Sequence, residues 1–247
     1  MSSYLTLPAI SPYSKLDPRR LDNPKETFKH AVAAIRERGA TGHISIADIG
    51  CANGEFLYYL RSVFPEASLC GFDSEPQFIA LAQSLGFNAK VGDLRKLDCA
   101  EQFDFVLCMG TLPIFQNPAD SLLPLIRLCK PGGYLIGDGL FNRHECEVRI
   151  EFCDNSAATG RGKWRADFNQ HSRSLVRSVL QNECLSIDFE DIEMDVDIPK
   201  RANAPHAHNW TFKDETGRRH ITSGLNLLLD GTLLVARRRV TPLALSL

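Results

Sequence analysis

Apolar residues along this chain follow two alternating patterns: short unbroken runs, and longer stretches in which apolar positions recur every three or four residues. The runs "HISIADIG", "ASLCGFD", "NAKVGD", "FDFVLCMG" and "GGYLIGDG" predict buried strands. Between and before them, "NPKETFKHAVAAIRERG", "GEFLYYLRSVF", "EPQFIALAQSLG" and "PADSLLPLIRLCK" carry the helical period. The first of these has Phe28, Val32 and Ile35 on one face and Gly39 as its stop, and the third is closed by Gly86. "KPGG" predicts a turn leading into the fifth strand. Strands alternating with helices imply right-handed crossovers and a parallel, doubly wound α/β sheet.

The pattern changes after about residue 140. "SRSLVRSVLQNE" is helical, and "LSIDFEDIEMDVDIP" alternates apolar and acidic residues as a strand does, with a phase slip between Phe189 and Ile192 that predicts a bulge. "NWTFKDETGRRHITSG" reads as a hairpin turning at Asp214 to Gly217, and "GTLLVARRR" as a final strand whose arginines suit an edge. The first two dozen residues are proline-rich and aperiodic. The expected organisation is one domain over 1–247: an arm at 1–24, a core at 25–140, and 141–247 closing the sheet with antiparallel strands.

A length of 247 residues, 44% hydrophobic and 23% charged, is that of an ordinary globular domain. The formal charge of -2 gives no global pull toward nucleic acid or an anionic membrane. The N-terminus lacks a basic segment followed by an apolar one, and no stretch is apolar enough to span a bilayer, so a cytoplasmic protein without a membrane partner is expected. The eight cysteines form no CxxC pair and several sit in apolar runs, which points to reduced, buried thiols rather than a disulfide framework or a zinc or iron–sulfur site.

The candidate chemistry lies at the corner Asp48-Ile49-Gly50-Cys51-Ala52-Asn53-Gly54. A phosphate-cradling Walker loop would need a closing Gly-Lys-Ser/Thr, which is missing. A dinucleotide fingerprint would need glycines where Ala52 and Glu55 stand, and Glu55 would repel a pyrophosphate from the helix N-terminus. Asp73 closes the next strand about 20 residues on, where an acid accepts hydrogen bonds from ribose hydroxyls, and Asp93 closes the strand after that. Three carboxylates at successive strand tips suit a ligand with a diol, an amine and positive charge rather than phosphates. A nicotinamide-dependent oxidoreductase and a non-catalytic cofactor-binding protein are the competing readings of the same corner.

"ADIGCANGEF", "GFD", "VGDL", "FDFVLCMGTL" and "CKPGGYLIGDG" resemble, in order and spacing, the motifs of class I S-adenosylmethionine-dependent methyltransferases. The resemblance covers roughly residues 44–140. It implies a seven-stranded Rossmann-like sheet, mostly parallel with an antiparallel last strand, plus an inserted hairpin. It also implies S-adenosyl-L-methionine as cofactor. Asp48, Gly50 and Gly54 would meet its methionine part, with Cys51 and Asn53 as further positions of the same corner. Asp73 would hold the ribose, Asp93 with Leu94 the adenine, and Met109 would flank the sulfonium.

The methyl acceptor is less legible. Base-methylating enzymes usually carry Asn or Asp followed by Pro-Pro-aromatic after the fourth strand, where this chain has "GTLPIF", and no Pro-Cys pair for cytosine chemistry occurs. By elimination the expected acceptor is an O or N nucleophile of a small or glycan-type molecule, with RNA or protein as the alternative and nucleic acid disfavoured. His144, Glu145 and His171 are the candidate general bases, needed where the acceptor is a protonated hydroxyl or ammonium. Asp138 could be a turn residue. "GRGKWR" could meet a phosphate-bearing acceptor, although a solvated loop is the plainer reading. The pair His206 and His208 has no further ligand cluster around it, and no metal is expected.

Overall fold

The computed structural model describes residues 22–97, 102–153, 164–166, 168–201 and 208–240. Helix α1 (Glu26–Glu37) precedes the alternation β1 (Ser45–Ile49), α2 (Glu55–Val63), β2 (Ser68–Asp73), α3 (Pro76–Ser84), β3 (Asn88–Val91), β4 (Phe103–Cys108), α4 (Ala119–Leu128) and β5 (Cys129–Asn142). Short strands β6 (Glu151–Cys153), β7 (Trp164–Ala166) and β8 (Gln170–Ser172) follow, then α5 (Arg173–Leu180), β9 (Cys184–Asp191), β10 (Asn209–Lys213), β11 (Arg219–Ser223) and β12 (Thr232–Arg238). The main sheet runs β3-β2-β1-β4-β5-β12-β9, with β8 paired to the far end of β5. Strands β1 to β5 pair in parallel, and β12 runs antiparallel to both its neighbours.

Period-two alternation on these strands explains their unbroken hydrophobicity, because both faces are covered. Ile46, Phe105, Leu107, Ile136, Leu233 and Val235 face α1 and α2. Their neighbours Ala47, Val106, Cys108, Leu135, Leu234 and Ala236 face α4 and α5. Phe28 of α1 stacks on Phe56 of α2 at 4.2 Å, which fixes the two helices on one side.

Four details depart from the sequence expectations. "KPGG" is part of β5 rather than a separate turn: Phe103 pairs with Cys129 and Phe105 with Tyr134, so the extra residues of β5 bulge between those two rungs. The register irregularity of β9 lies opposite Arg237 and Arg238, and β9 ends at Asp191, before the slip read at Ile192. Strand β12 is interior rather than an edge, since β9 covers it; Arg238 turns its guanidinium to the carbonyls of Arg127 and Cys129. The pairing of β6 with β7 and of β8 with β5 carries no period that the sequence reveals. The hairpin β10–β11 turns where expected, with Gly217 at φ +83° and its N–H on the Asp214 carbonyl.

No described helix is long and apolar enough to cross a membrane. Among the described residues, Cys51, Cys70, Cys108, Cys129 and Cys184 are buried free thiols.

Candidate functional site

The corner between β1 and α2 is built by three alternate departures from ordinary backbone. Gly50 (φ +78°), Ala52 (φ +46°) and Gly54 (φ +87°) all lie in the left-handed region, which glycine adopts at little cost and alanine does not. The N–H groups of Gly50 and Cys51 both donate to the carbonyl of Phe72, locking the corner to β2. A side chain at Gly50 would stand 2.3 Å from Thr111 Oγ1, so the corner also presses against the loop after β4. Gly54 caps α2, and Glu55 occupies its first turn, buried, with Lys25 at 3.7 Å. That carboxylate leaves no seat for a pyrophosphate at this helix N-terminus.

Asp48 is 2% exposed, and its Oδ2 takes no hydrogen bond from the described residues. Burial pushes its carboxyl up to about 7, with the negative charge of Asp73 adding to the rise and Lys25 opposing it. Asp73 accepts the N–H of Ala52 on Oδ2 at 2.9 Å and the N–H of Glu75 on Oδ1 at 2.9 Å. Burial raises its carboxyl, and these backbone donors pull the other way. Each of its oxygens keeps a lone pair for a further donor, such as a ribose hydroxyl.

Across β4 stands a second part of the crevice. Asp138, on β5, accepts the backbone N–H of Gly110 on Oδ1, and burial raises its carboxyl against the pull of Lys25. Cys108, at the end of β4, is buried between the two sides and feels the charges of both Asp138 and Asp48.

The remaining candidates divide. Cys51 is buried and packs its thiol against Gly71. Asn53 is fully buried. Met109 lies in the core beside α1, and Leu94 in the core on the opposite face. Asp93 caps the short 3-10 helix Leu94–Lys96 and holds its own Arg95 in a fork at 3.0 and 2.6 Å. Its charged neighbours are Arg95 and Lys96, which hold its carboxyl low, rather than Asp48 or Asp73. The structure ties Asp73 to the glycine corner through the Ala52 N–H, and it places Asp93 at the cap of the short helix after β3.

His144 and Glu145 are exposed on the segment after β5. His171 is 4% exposed, with Nδ1 on Glu147 Oε2 at 2.7 Å and Nε2 on the Phe115 carbonyl at 2.9 Å. Both ring nitrogens face acceptors, so neither is available to take a proton from a substrate. The sequence reading missed Lys25, Thr111 and the placement of Asp138; only Asp138 had a signal, its position between glycines at the end of an apolar run. His206 and most of "GRGKWR" lie outside the described residues.

The family profile of methyltransferase domains matches residues 47–137, the stretch that builds this corner and the strands around it. Over that stretch, well under half of its length, the chain is similar to methyltransferase domains. The trans-aconitate 2-methyltransferase of Mycobacterium ulcerans (strain Agy99) is 30% identical over 97 residues, 39% of this chain and 37% of that protein. The malonyl-[acyl-carrier protein] O-methyltransferase of Priestia megaterium is 29% identical over 112 residues, 42% of this chain and 41% of that protein. These matches span under half the length of the curated relatives, 37% and 41%. The methyltransferase solved with the Haloferax volcanii Trm112 activator shares the fold with a TM-score of 0.61 at 18% identity, covering 92% of this chain and 95% of that one. Magnesium protoporphyrin IX methyltransferase of Synechocystis PCC 6803, solved with bound S-adenosylmethionine, gives 0.53 at 16% identity, covering 86% and 78%.

Proposed function

We propose that this protein is an S-adenosyl-L-methionine-dependent methyltransferase acting on an O or N nucleophile of a small-molecule or glycan-type acceptor. Residues 25–140 are the cofactor-binding core, and 141–247 carry the acceptor side and the closing strands. The observation that carries the reading is Asp48: a buried carboxylate oxygen without a hydrogen bond, beside Asp73 and a left-handed glycine corner. An empty acceptor of this kind suits the cationic, amine-bearing end of the cofactor. Asp73 offers its remaining lone pairs to the ribose diol. Similarity to relatives named for trans-aconitate and a malonyl group supports a small or carrier-borne acceptor.

When bound, the cofactor supplies an activated methyl group. The chain's contribution is to orient it and to exclude water, which is where much of the acceleration of an in-line displacement arises. The rigid lock of the corner onto Phe72 and Asp73 serves the first role, and the apolar packing of Met109 and Leu112 behind the crevice serves the second. Titration calorimetry with S-adenosylmethionine and S-adenosylhomocysteine tests the reading. Binding of both, abolished in Asp73→Ala, is the expected result, and no binding to the folded wild type overturns it.

A further inference from the structure

The sheet order β2-β1-β4-β5 sets four features in a row along one edge: Asp73, Asp48, the loop after β4, and Asp138. With neighbouring strands about 4.8 Å apart, the row extends roughly 14 Å. The methyltransferase reading uses the Asp73 and Asp48 half for the cofactor. Asp138 stands one strand beyond the loop on the other side, and nothing in that reading employs it.

Asp138 is held firmly. The Gly110 N–H bonds its Oδ1, while among the described residues no side chain donates to Oδ2. Its neighbours Gly137 and Gly139 are packed so closely that a Cβ would stand 2.9 Å from Leu112 and 2.6 Å from the Phe141 ring, so the strand tip has little room to shift. Asp48 is level with Leu107 and Leu107 with Ile136, so Asp138, two residues further along β5, lies on the same face of the sheet as Asp48, and the two acids border one crevice. The buried, unbonded Oδ2 of Asp48 independently shows that this crevice is built to receive a donor.

We propose, resting on the methyltransferase reading, that Asp138 is the specificity-determining carboxylate of the acceptor position. It takes a hydrogen bond from an acceptor that presents N–H or O–H, an amine or a hydroxyl.

The test needs no acceptor. Sinefungin carries an amine-bearing carbon in place of the cofactor's sulfonium sulfur, so its amine stands where the transferred methyl would and points at the acceptor position, whereas S-adenosylhomocysteine carries no group there. Calorimetry at pH 8 is expected to show the wild type preferring sinefungin by about tenfold or more, as a hydrogen bond to a charged group allows. Asp138→Asn is expected to bind S-adenosylhomocysteine within about twofold of wild type and to lose that preference. A wild type without the preference, or an Asp138→Asn variant that keeps it, overturns the proposal while leaving the methyltransferase reading intact. Failure of the wild type to bind S-adenosylhomocysteine sinks the underlying reading instead. Should Asp138→Asn not fold, a crystal structure of the wild type with sinefungin decides. The amine within about 3 Å of Asp138 Oδ2 supports the assignment, and an amine turned away from Asp138 overturns it.

Discussion

The backbone N–H of Ala52 donates to Asp73 Oδ2 at 2.9 Å, joining a residue with φ +46° in the corner to the carboxylate at the tip of the neighbouring strand. The strained backbone of the corner and the position of the carboxylate thus depend on each other. Removing Asp73 leaves two backbone donors, of Ala52 and Glu75, without their acceptor. Asp73→Ala is expected to lower stability by about 1–3 kcal/mol in addition to abolishing cofactor binding, whereas Asp73→Asn retains more of the stability than of the affinity. Paired denaturant titration and calorimetry separate the two effects.

Asp48 sets a pH dependence. Its folded-state carboxyl lies near 7 and its ordinary value near 3.8, so the folded state is most favoured below about pH 4 and loses that advantage as the pH rises through about 7. At 1.36 kcal/mol per unit the loss is at most about 4 kcal/mol. Asp48→Asn is therefore expected to melt above the wild type at pH 8 and to converge with it near pH 4. A bound cation favours the ionised form, so cofactor affinity should rise between pH 6 and 8 with release of a proton. Calorimetry in buffers of different ionisation enthalpy measures that proton.

Gly50 answers two demands at once, a φ of +78° and the close approach of Thr111. Gly50→Ala is expected to cost roughly 1–3 kcal/mol through the backbone strain. Thr111→Ala, combined with it, should recover only the steric part. A chemical-denaturation cycle over the two single variants and the double variant checks this.

His171 is a brace. It ties the segment around Glu147 to the carbonyl of Phe115, and Glu147 also accepts the Ser172 N–H at 2.7 Å. His171→Ala is expected to destabilise by about 2–3 kcal/mol while leaving S-adenosylhomocysteine affinity within about twofold. An unchanged melting temperature would contradict the assignment.

His220 stands between two carboxylates, Asp230 on Nδ1 at 2.6 Å and Asp214 on Nε2 at 3.0 Å, and both raise its pKa above 6.5. The interaction is present below the ordinary value and is lost as the pH rises through the folded-state value. The imidazole resonances should titrate with a midpoint above 6.5, returning to the ordinary value in an Asp214→Asn, Asp230→Asn double variant.

The alternation of strands and helices up to β5 was legible because its strands are buried on both faces, which writes long apolar runs into the sequence. The turn between β1 and α2 was legible because a tight strand-to-helix corner leaves few residue choices, and Gly50 and Gly54 take left-handed backbone there. An acid after a strand serves equally as a cap, and Asp93 caps the short helix after β3 while Arg95 two residues on takes both its oxygens. Lys25 reaches the site from α1 by tertiary packing, which no local pattern records. The three-residue strands β6, β7 and β8 are too short for a period, and β12 looked like an edge because its arginines reach carbonyls beyond the strand end.

Strand β12 fills the gap between β5 and β9, and it is translated after both. While a ribosome is still making residues 192–231, those two strands wait with unpaired margins facing one another, so the nascent chain holds an open slot of strand width. Completion of the sheet is a late zippering of Thr232–Arg238 into that slot. Synthesis of Thr232–Arg238, rather than emergence of the glycine corner, then sets the moment at which the sheet closes.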